Sequence, residues 1–251
     1  KKVGIVITTY GYNGVFVIQA LKSFRFIKNN KYIVLFINDF SDVNIAEAKK
    51  NADSVIIIND QKKNGGLTGT WNQGIDMCFK EDCETIILSN DDIFVTPDIK
   101  NIIEEANQCS ENDLFYYGPM TNNPGEPSPC QYSICAKQEN SRILYQTNEI
   151  YNLNGFFLVI PKHVLIANKF NSEKYFDENY PFGGNENEWF KRFSLIGGKP
   201  IIVPKSFVYH YKFSSWRKLD GYKKLQKKNI NTCIYTCVTG GYENKIYFDP
   251  S

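Results

Sequence analysis

Two adjacent carboxylates follow an apolar run near the middle of the chain, which reads Ile86-Ile87-Leu88-Ser89-Asn90-Asp91-Asp92. Such a run is typical of a buried parallel strand, and its C-terminal end is where open α/β sheets bind ligands. Clustered carboxylates can hold a hard divalent cation, which in turn holds phosphate groups. The motif therefore predicts a metal-assisted nucleotide site, although Asn and Asp also end strands at ordinary turns.

Two later segments also carry groups that can do chemistry. Glu186 and Glu188 follow a glycine pair and fall in the first turn of a predicted helix. The helix dipole favours acidic residues there, and in a cleft either carboxylate can act as a general base. His210, one of two histidines, closes a predicted strand and could complete a metal site with Asp92, although a lone histidine is more often simply packed.

Alternating strands and helices precede these residues in the first half of the chain. The apolar patterns predict strands at 3–8, 32–37, 54–58 and 86–89, and helices at 14–27, 45–50 and 67–79. This βα rhythm is typical of a parallel sheet with helices on both faces. The carboxylates then lie at the carboxyl edge of that sheet.

The second half is less regular. Prolines and glycines in 119–129 predict a loop that borders a cleft. A strand is predicted at 151–160, where Gly155 would let a ligand approach the backbone, and two short strands at 200–204 and 206–211.

Composition limits the classes of protein. A chain of 251 residues that is 42% hydrophobic can bury one sizeable core, and a formal charge of +2 does not favour nucleic acid as a partner. No apolar run is long enough to cross a bilayer, and no secretory signal opens the chain. Seven cysteines without paired CxxC spacing favour reduced thiols in a cytoplasmic compartment, with a Cys130–Cys135 bridge as the minor alternative.

Taken as a series, these motifs resemble those of family 2 glycosyltransferases of the GT-A fold, particularly the bacterial and viral rhamnosyltransferase-like branch, over about residues 3–216. The resemblance implies an α/β GT-A fold with a mostly parallel central sheet flanked by helices. It also implies a UDP-sugar donor, possibly of L-rhamnose, a divalent cation (Mn²⁺ or Mg²⁺) and a glycan acceptor. Transfer to an acceptor hydroxyl would invert the anomeric configuration.

The resemblance also carries site residues over to this sequence. Asp92 would hold the metal, and His210 would join its shell. Aligning on Arg192 puts Glu186 at the position of the catalytic base, with Glu188 as the alternative. Candidates for contact with the nucleotide-sugar are Thr8, Thr9, Tyr10, Asp39, Asn64, Gly65, Asn72, Asn90 and Asp91. Aromatic faces for the acceptor sugar, if they are not simply core residues, are Tyr180, Phe182, Trp189 and Trp216.

The chain divides into a predicted catalytic domain, residues 1–216, and a segment 217–251. That segment begins with a lysine-rich linker or helix and continues as the start of a truncated second domain.

Two other functions stay open. Asn90 and Asn185 stand where acids are common in the family, which suits a non-catalytic module that binds nucleotide-sugars or glycans. A nucleotidyltransferase is less favoured, because no glycine-rich triphosphate loop follows the first strand.

Overall fold

The computed structural model describes residues 1–9, 14–38, 41–60, 63–124, 131–137, 143–144, 152–181 and 184–211. The strands are β1 Val3–Thr9, β2 Lys31–Asn38, β3 Ser54–Ile58, β4 Thr85–Ser89, β5 Ile93–Val95, β6 Phe115–Met120, β7 Ile143–Leu144, β8 Phe157–Pro161 and β9 Lys199–His210. The helices are α1 Gly14–Ser23, which runs into a 3₁₀ turn, α2 Ile45–Asn51, α3 Gly66–Lys80, α4 Ile99–Gln108, α5 Lys162–Ala167 and α6 Asn185–Leu195.

The strands form one mixed sheet in the order β3-β2-β1-β4-β8-β6-β9-β5, with β7 beside β9. The four neighbouring strands β3, β2, β1 and β4 are parallel, as are β6 and β9. β8 runs antiparallel between β4 and β6, and β5 is antiparallel to β9. The predicted α/β class with a mostly parallel sheet is confirmed.

Helices cover both faces of the sheet because the buried strands are apolar on both sides. In β1, Val6 points into the core under α3 and α6, whereas Ile5 and Ile7 point into the core under α1, α2 and α4. No helix within the described residues is long and apolar enough to cross a membrane. The two cores fix the strand ends that carry the candidate site.

Polar residues collect at one edge of this sheet. β1, β2 and β4 end side by side at Thr9, Asn38 and Ser89. His210 ends β9 opposite Ile93, the first residue of β5. Asn90–Asp92, which join β4 to β5, therefore lie beside the end of β9.

The second half differs from its sequence prediction in three ways. The predicted loop at 119–129 overlaps β6, the predicted strand at 151–160 begins only at Phe157, and the two strands after residue 199 are one strand, β9. β9 tolerates Pro204 because the register of its ladder with β6 shifts after Pro119. At this irregularity a proline, which lacks an N–H group, does not remove a hydrogen bond from the ladder.

Helix α4 and strand β5 have no counterpart among the predictions, although α4 buries isoleucines at helical spacing.

Candidate active site

Asp92 and His210 are brought together by the pairing of β5 with β9. The backbone N–H of Tyr211 donates to the carbonyl of Asp92 (2.9 Å), and His210 Nε2 lies 3.5 Å from Asp92 Oδ1. Both side chains are almost fully buried. The predicted pair is therefore adjacent, although the residues are 118 positions apart in sequence.

The ring of His210 has a fixed orientation. Its Nδ1 lies 2.9 Å from the carbonyl oxygen of Asn123, which can only accept, so Nδ1 carries a proton. The ring stacks on Phe156 at 4.8 Å, and the backbone of His210 exchanges two hydrogen bonds with the amide of Asn122. In the neutral imidazole, the Nε2 lone pair then faces the Asp92 carboxylate. A cation bound between Nε2 and the carboxylate would stabilise this arrangement.

This pair fits a divalent cation that also binds phosphates. Two ligands at about 2.1 Å from an octahedral ion lie about 3 Å apart, close to the separation of Nε2 and Oδ1. A backbone carbonyl on the second nitrogen is the usual support of a metal-binding histidine. Among the described residues, no group of three or more His, Cys, Asp and Glu side chains forms a metal cluster. Asp92 and His210 are therefore the two candidate ligands that these residues offer.

The rest of the acidic motif lies between this pair and β8. The N–H of Asn90 donates to the carbonyl of Phe156 (2.8 Å), which ties the motif to the segment before β8. Asp91 is 6% exposed, whereas Asn90 is half-buried and more accessible. Asn90 is thus the most accessible member of the motif.

Glu186 lies against the same segment, at Gly155. A Cβ built on Gly155 would be 3.3 Å from the Oε1 atom of Glu186, so the carboxyl group packs against the backbone at Gly155. Gly155 was predicted to let a ligand approach, and in the structure Glu186 makes that approach. Because Gly155 precedes Phe156, the Glu186 carboxyl and the His210 ring flank two consecutive residues. Burial raises the pKa of Glu186 above its ordinary value near 4.5.

The first turn of α6 is held in place by polar contacts. The helix begins after Gly184, whose φ of +77° is in the left-handed region, and the amide of Asn152 donates to Asn187 Oδ1 (2.9 Å). Asn152 in turn accepts from the hydroxyl of Tyr116 (2.6 Å). Burial raises the pKa of Tyr116, and the negative charge of Glu186 raises it further. None of these supporting residues was predicted, because no sequence spacing links them to Glu186.

Glu188 has a different role in the structure. Its carboxylate accepts two hydrogen bonds from the guanidinium of Arg192, at 2.5 and 3.1 Å. Arg192 also donates to the carbonyls of Asn168 and Tyr175. Glu188 therefore forms an ion pair with Arg192 within α6, and Arg192 in turn binds α6 to the preceding segment. Because the Glu188 carboxylate is engaged in this way, Glu186 is the better candidate for the base.

On the nucleotide side, β1 and α3 meet at two threonines. The hydroxyls of Thr8 and Thr70 are 2.7 Å apart, and Thr70 also donates to the carbonyl of Leu67. Thr9 is fully buried. Thr8, which is half-buried, is therefore the more accessible of the two predicted threonines.

The glycine-bearing segment before α3 is a tight turn. Gly65 and Gly66 both have positive φ, at +71° and +66°. A Cβ on Gly69 would lie 1.7 Å from the carbonyl oxygen of Asn64, so only glycine allows this turn to close on the helix. The glycines let this turn pack closely against the loop before α6, because a Cβ on Gly65 would lie 3.0 Å from Glu178 Cδ and one on Gly66 would lie 2.4 Å from the carbonyl oxygen of Pro181.

Asn72 is not open to a nucleotide. Its amide oxygen accepts from the backbone N–H groups of Tyr175 and Phe176, and its amide nitrogen donates to Phe176 O and Glu178. The amide is thus fully engaged with the protein. We therefore assign Asn72 to positioning the loop 175–181 rather than to ligand contact.

The same loop also caps α3. The N–H of Thr68 donates to the carbonyl of Pro181 (3.2 Å), and its hydroxyl donates to the carbonyl of Tyr180. This loop leads directly towards α6 and Glu186. Thr68 and Asn72 thus connect the turn on the nucleotide side to the helix that bears the candidate base.

The aromatic candidates separate into two kinds. Tyr180 is 43% exposed and lies against Gly184 at the start of α6, so its ring can face an acceptor. Trp189 is 1% exposed and stacks between Phe176 and Phe193, so it is a core residue. The remaining predicted site residues lie outside the described residues, and these are Tyr10, Asp39, Phe182 and Trp216.

Comparison with protein families gives one match. Residues 4–156, more than half of the chain, match the family described as Glycosyl transferase family 2. No curated protein matches the sequence. The matched region includes the acidic motif but ends before Glu186 and His210.

Three solved structures illustrate the structural likeness. Crystal structures of GalNAc-T7 with UDP, GalNAc and Mn²⁺, and of S. aureus TarS 1-349, have TM-scores of 0.55 and 0.56 at 15% and 13% identity. The alignments cover 92% and 98% of this chain, and 47% and 75% of those chains. Glucosyl-3-phosphoglycerate synthase from Mycobacterium tuberculosis, in complex with Mn²⁺, UDP and phosphoglyceric acid, has a TM-score of 0.56 at 10% identity over 94% of this chain and 78% of that one.

These likenesses confirm the GT-A fold and say nothing more about this chain. The chain spans about half the length of the GalNAc-T7 structure. The rhamnosyltransferase-like branch has no support among these structures.

Proposed function

The chain belongs to glycosyl transferase family 2, and on that basis we propose that it transfers a sugar from a UDP-sugar to a hydroxyl group of a glycan acceptor. The observation that carries the proposal is the arrangement around Gly155 and Phe156. The His210 ring, which lies beside Asp92, stacks on Phe156, and the Glu186 carboxyl packs against the neighbouring Gly155. Such a transfer requires a group that holds the leaving diphosphate and a base for the acceptor hydroxyl, and these residues bring candidates for both close to one short segment.

The donor side is assigned to Asp92 and His210. A divalent ion bound there would neutralise the charge that develops on the diphosphate leaving group. Asp92 supplies a carboxylate, and His210 supplies a ring nitrogen whose direction is set by Asn123 and Phe156. Solved structures of the same fold contain UDP with Mn²⁺ or Mg²⁺, which supports UDP as the nucleotide.

Glu186 is assigned as the general base. An acceptor hydroxyl must lose its proton as it attacks the anomeric carbon, and a carboxylate within hydrogen-bond reach can accept that proton. Burial raises the pKa of Glu186 above that of an exposed glutamate, which makes its carboxylate a stronger base. Tyr180, at the start of the same helix, would provide an apolar face for the acceptor sugar.

We infer that the transfer inverts the anomeric configuration, as the sequence resemblance implies. With Glu186 as the base for the acceptor hydroxyl and the diphosphate as the leaving group, a single displacement accounts for the reaction without a covalent intermediate. Which sugar is transferred depends on a few pocket contacts. L-Rhamnose stays the donor suggested by the sequence resemblance, and it is tested alongside the common UDP-hexoses.

The test is acceptor-dependent release of UDP. The full chain is incubated with Mn²⁺, a panel of UDP-sugars including UDP-rhamnose, and glycan acceptors, and the product linkage is determined by NMR. We expect one donor to give UDP release and a product of inverted anomeric configuration. Retained configuration would overturn the single displacement, and UDP binding without transfer from any donor would favour a non-catalytic binding module.

A further inference from the structure

A polar groove lies far from the candidate active site, at the opposite edge of the sheet. It has a volume of about 540 Å³ and is lined by residues between 28 and 33, where the chain enters β2, and by residues 49–53 at the end of α2. The eight residues of β2 separate this edge from Asn38 at the carboxyl edge. At about 3.3 Å per residue the two edges are about 25 Å apart.

The lining of the groove is strongly basic. It contains four lysines, Lys28, Lys31, Lys49 and Lys50, and one acidic residue, Asp53. The lining therefore carries a formal charge of +3, whereas the whole chain carries only +2. Positive charge is concentrated here on a chain that is otherwise close to neutral.

Two of the four lysines are available to a ligand without breaking a contact in the described part of the chain. Lys28 and Lys49 form no ion pair with any residue in the described part of the chain, and both are exposed. Lys50 pairs with Glu47 (3.1 Å), which also pairs with Lys22, and Lys31 donates to the carbonyl of Ile27.

The one carboxylate of the lining is directed to the backbone. Asp53 accepts from the N–H of Ile33 (2.7 Å). The dipole of α2 favours lysines in its last turn, which accounts for Lys49 and Lys50. It does not account for Lys28 and Lys31, which reach the same groove from another segment. Two separate segments thus contribute lysines to the lining of one concave surface.

We propose that this groove binds a soluble ligand that carries several closely spaced phosphate groups. A concave surface of one charge sign attracts ions of the opposite sign. A single exposed ammonium–phosphate pair contributes little, so a monophosphate would bind weakly and a chain of phosphates would engage several lysines together. The amides of Asn29 and Asn30 add neutral polar groups to the lining. The site is separate from the donor site and does not depend on the proposed transfer activity.

Tripolyphosphate is the probe, titrated by calorimetry into the full chain at low salt with EDTA, so that no metal ion recruits it to Asp92. The test variant is Lys28→Glu/Lys49→Glu, which changes the formal charge of the lining from +3 to −1. The control is Lys100→Glu, an exposed lysine on α4 outside the groove. Thermal unfolding of each variant verifies that it is folded.

We expect the wild-type chain and Lys100→Glu to bind equally, the double variant to bind at least about tenfold more weakly, and affinity to fall as salt is added. Equal binding by the double variant, or no binding by the wild-type chain, would overturn the proposal. Vesicles of anionic phospholipid are tested in parallel. Binding to these vesicles alone, without binding to tripolyphosphate, would also overturn the assignment to a soluble ligand.

Discussion

At the scale of single residues, Glu186 and Glu188 show how neighbours decide the role of a carboxylate. Both occupy the first turn of α6, and the helix dipole acts on both. Arg192 neutralises Glu188 through two hydrogen bonds, whereas burial against Gly155 raises the pKa of Glu186. The sequence resemblance already ranked Glu186 before Glu188. The ion pair of Glu188 lies within α6, four residues apart, whereas the contact of Glu186 with Gly155 comes from another part of the chain and has no local sequence signal.

Replacing Glu186 by Gln should abolish most turnover and leave UDP binding unchanged. General base catalysis is typically worth about 10²–10⁴-fold, so we expect kcat to fall by at least about 100-fold. Glu188→Gln is the matched control, because it makes the same change at the neighbouring carboxylate and loses only the ion pair with Arg192. A Glu186→Gln variant with wild-type turnover would remove Glu186 from the mechanism.

The activity of the wild-type chain should also fall on the acid side of its pH profile. A base works only when it is deprotonated, so turnover declines as the pH drops through the pKa of Glu186. Because burial raises that pKa, the decline should begin at a higher pH than for an exposed glutamate. The measurement is kcat against pH. A profile that is flat down to the pKa of an ordinary glutamate would contradict the assignment.

At the scale of elements, the loop 175–181 links the two halves of the site. It binds Asn72 and Thr68 of α3 and then leads towards α6. These contacts join residues about 100 positions apart. The strands and helices from β1 to β4 follow local apolar patterns and were predicted within a few residues. The loop has no local pattern, and its position depends on buried polar contacts that the sequence does not reveal.

The change Asn72→Ala should destabilise the fold through this loop. It leaves the buried N–H groups of Tyr175 and Phe176 without their acceptor and removes two further hydrogen bonds. Each unsatisfied buried group costs about 1–3 kcal/mol, so we expect a loss of about 3 kcal/mol in the free energy of unfolding by urea. Asn112→Ala, at an exposed position, should change it little. A small effect of Asn72→Ala would mean that the loop is held by other contacts.

At the scale of the whole molecule, the site depends on a strand that the family match does not include. The match ends at residue 156, whereas β9 lies between β6 and β5 and supplies His210. β9 also buries Ile201, Ile202 and Phe207 in the two cores. The sequence prediction divided this strand in two after Pro204. The register shift that accommodates Pro204 depends on the pairing of β9 with β6, which the sequence does not reveal. The part of the fold that completes the site was therefore the hardest to predict.

Truncation tests where this folding unit ends. A chain that stops after residue 216 should unfold cooperatively near the temperature of the full chain, because it keeps β9 and both cores. A chain that stops after residue 195 should fail to fold, because the sheet loses an inner strand. Thermal unfolding followed by circular dichroism makes the comparison. If residues 1–216 were unfolded alone, the predicted segment 217–251 would belong to the same folding unit.

The central claim, a metal-dependent UDP site at Asp92 and His210, is tested most directly by calorimetric titration. UDP, GDP and dTDP are each added to the full chain with and without Mn²⁺, and then to Asp92→Ala. We expect binding of UDP that requires Mn²⁺ and is lost in Asp92→Ala, with much weaker binding of GDP and dTDP. UDP binding that is equally strong without Mn²⁺, or that survives in Asp92→Ala, would contradict this account of the site.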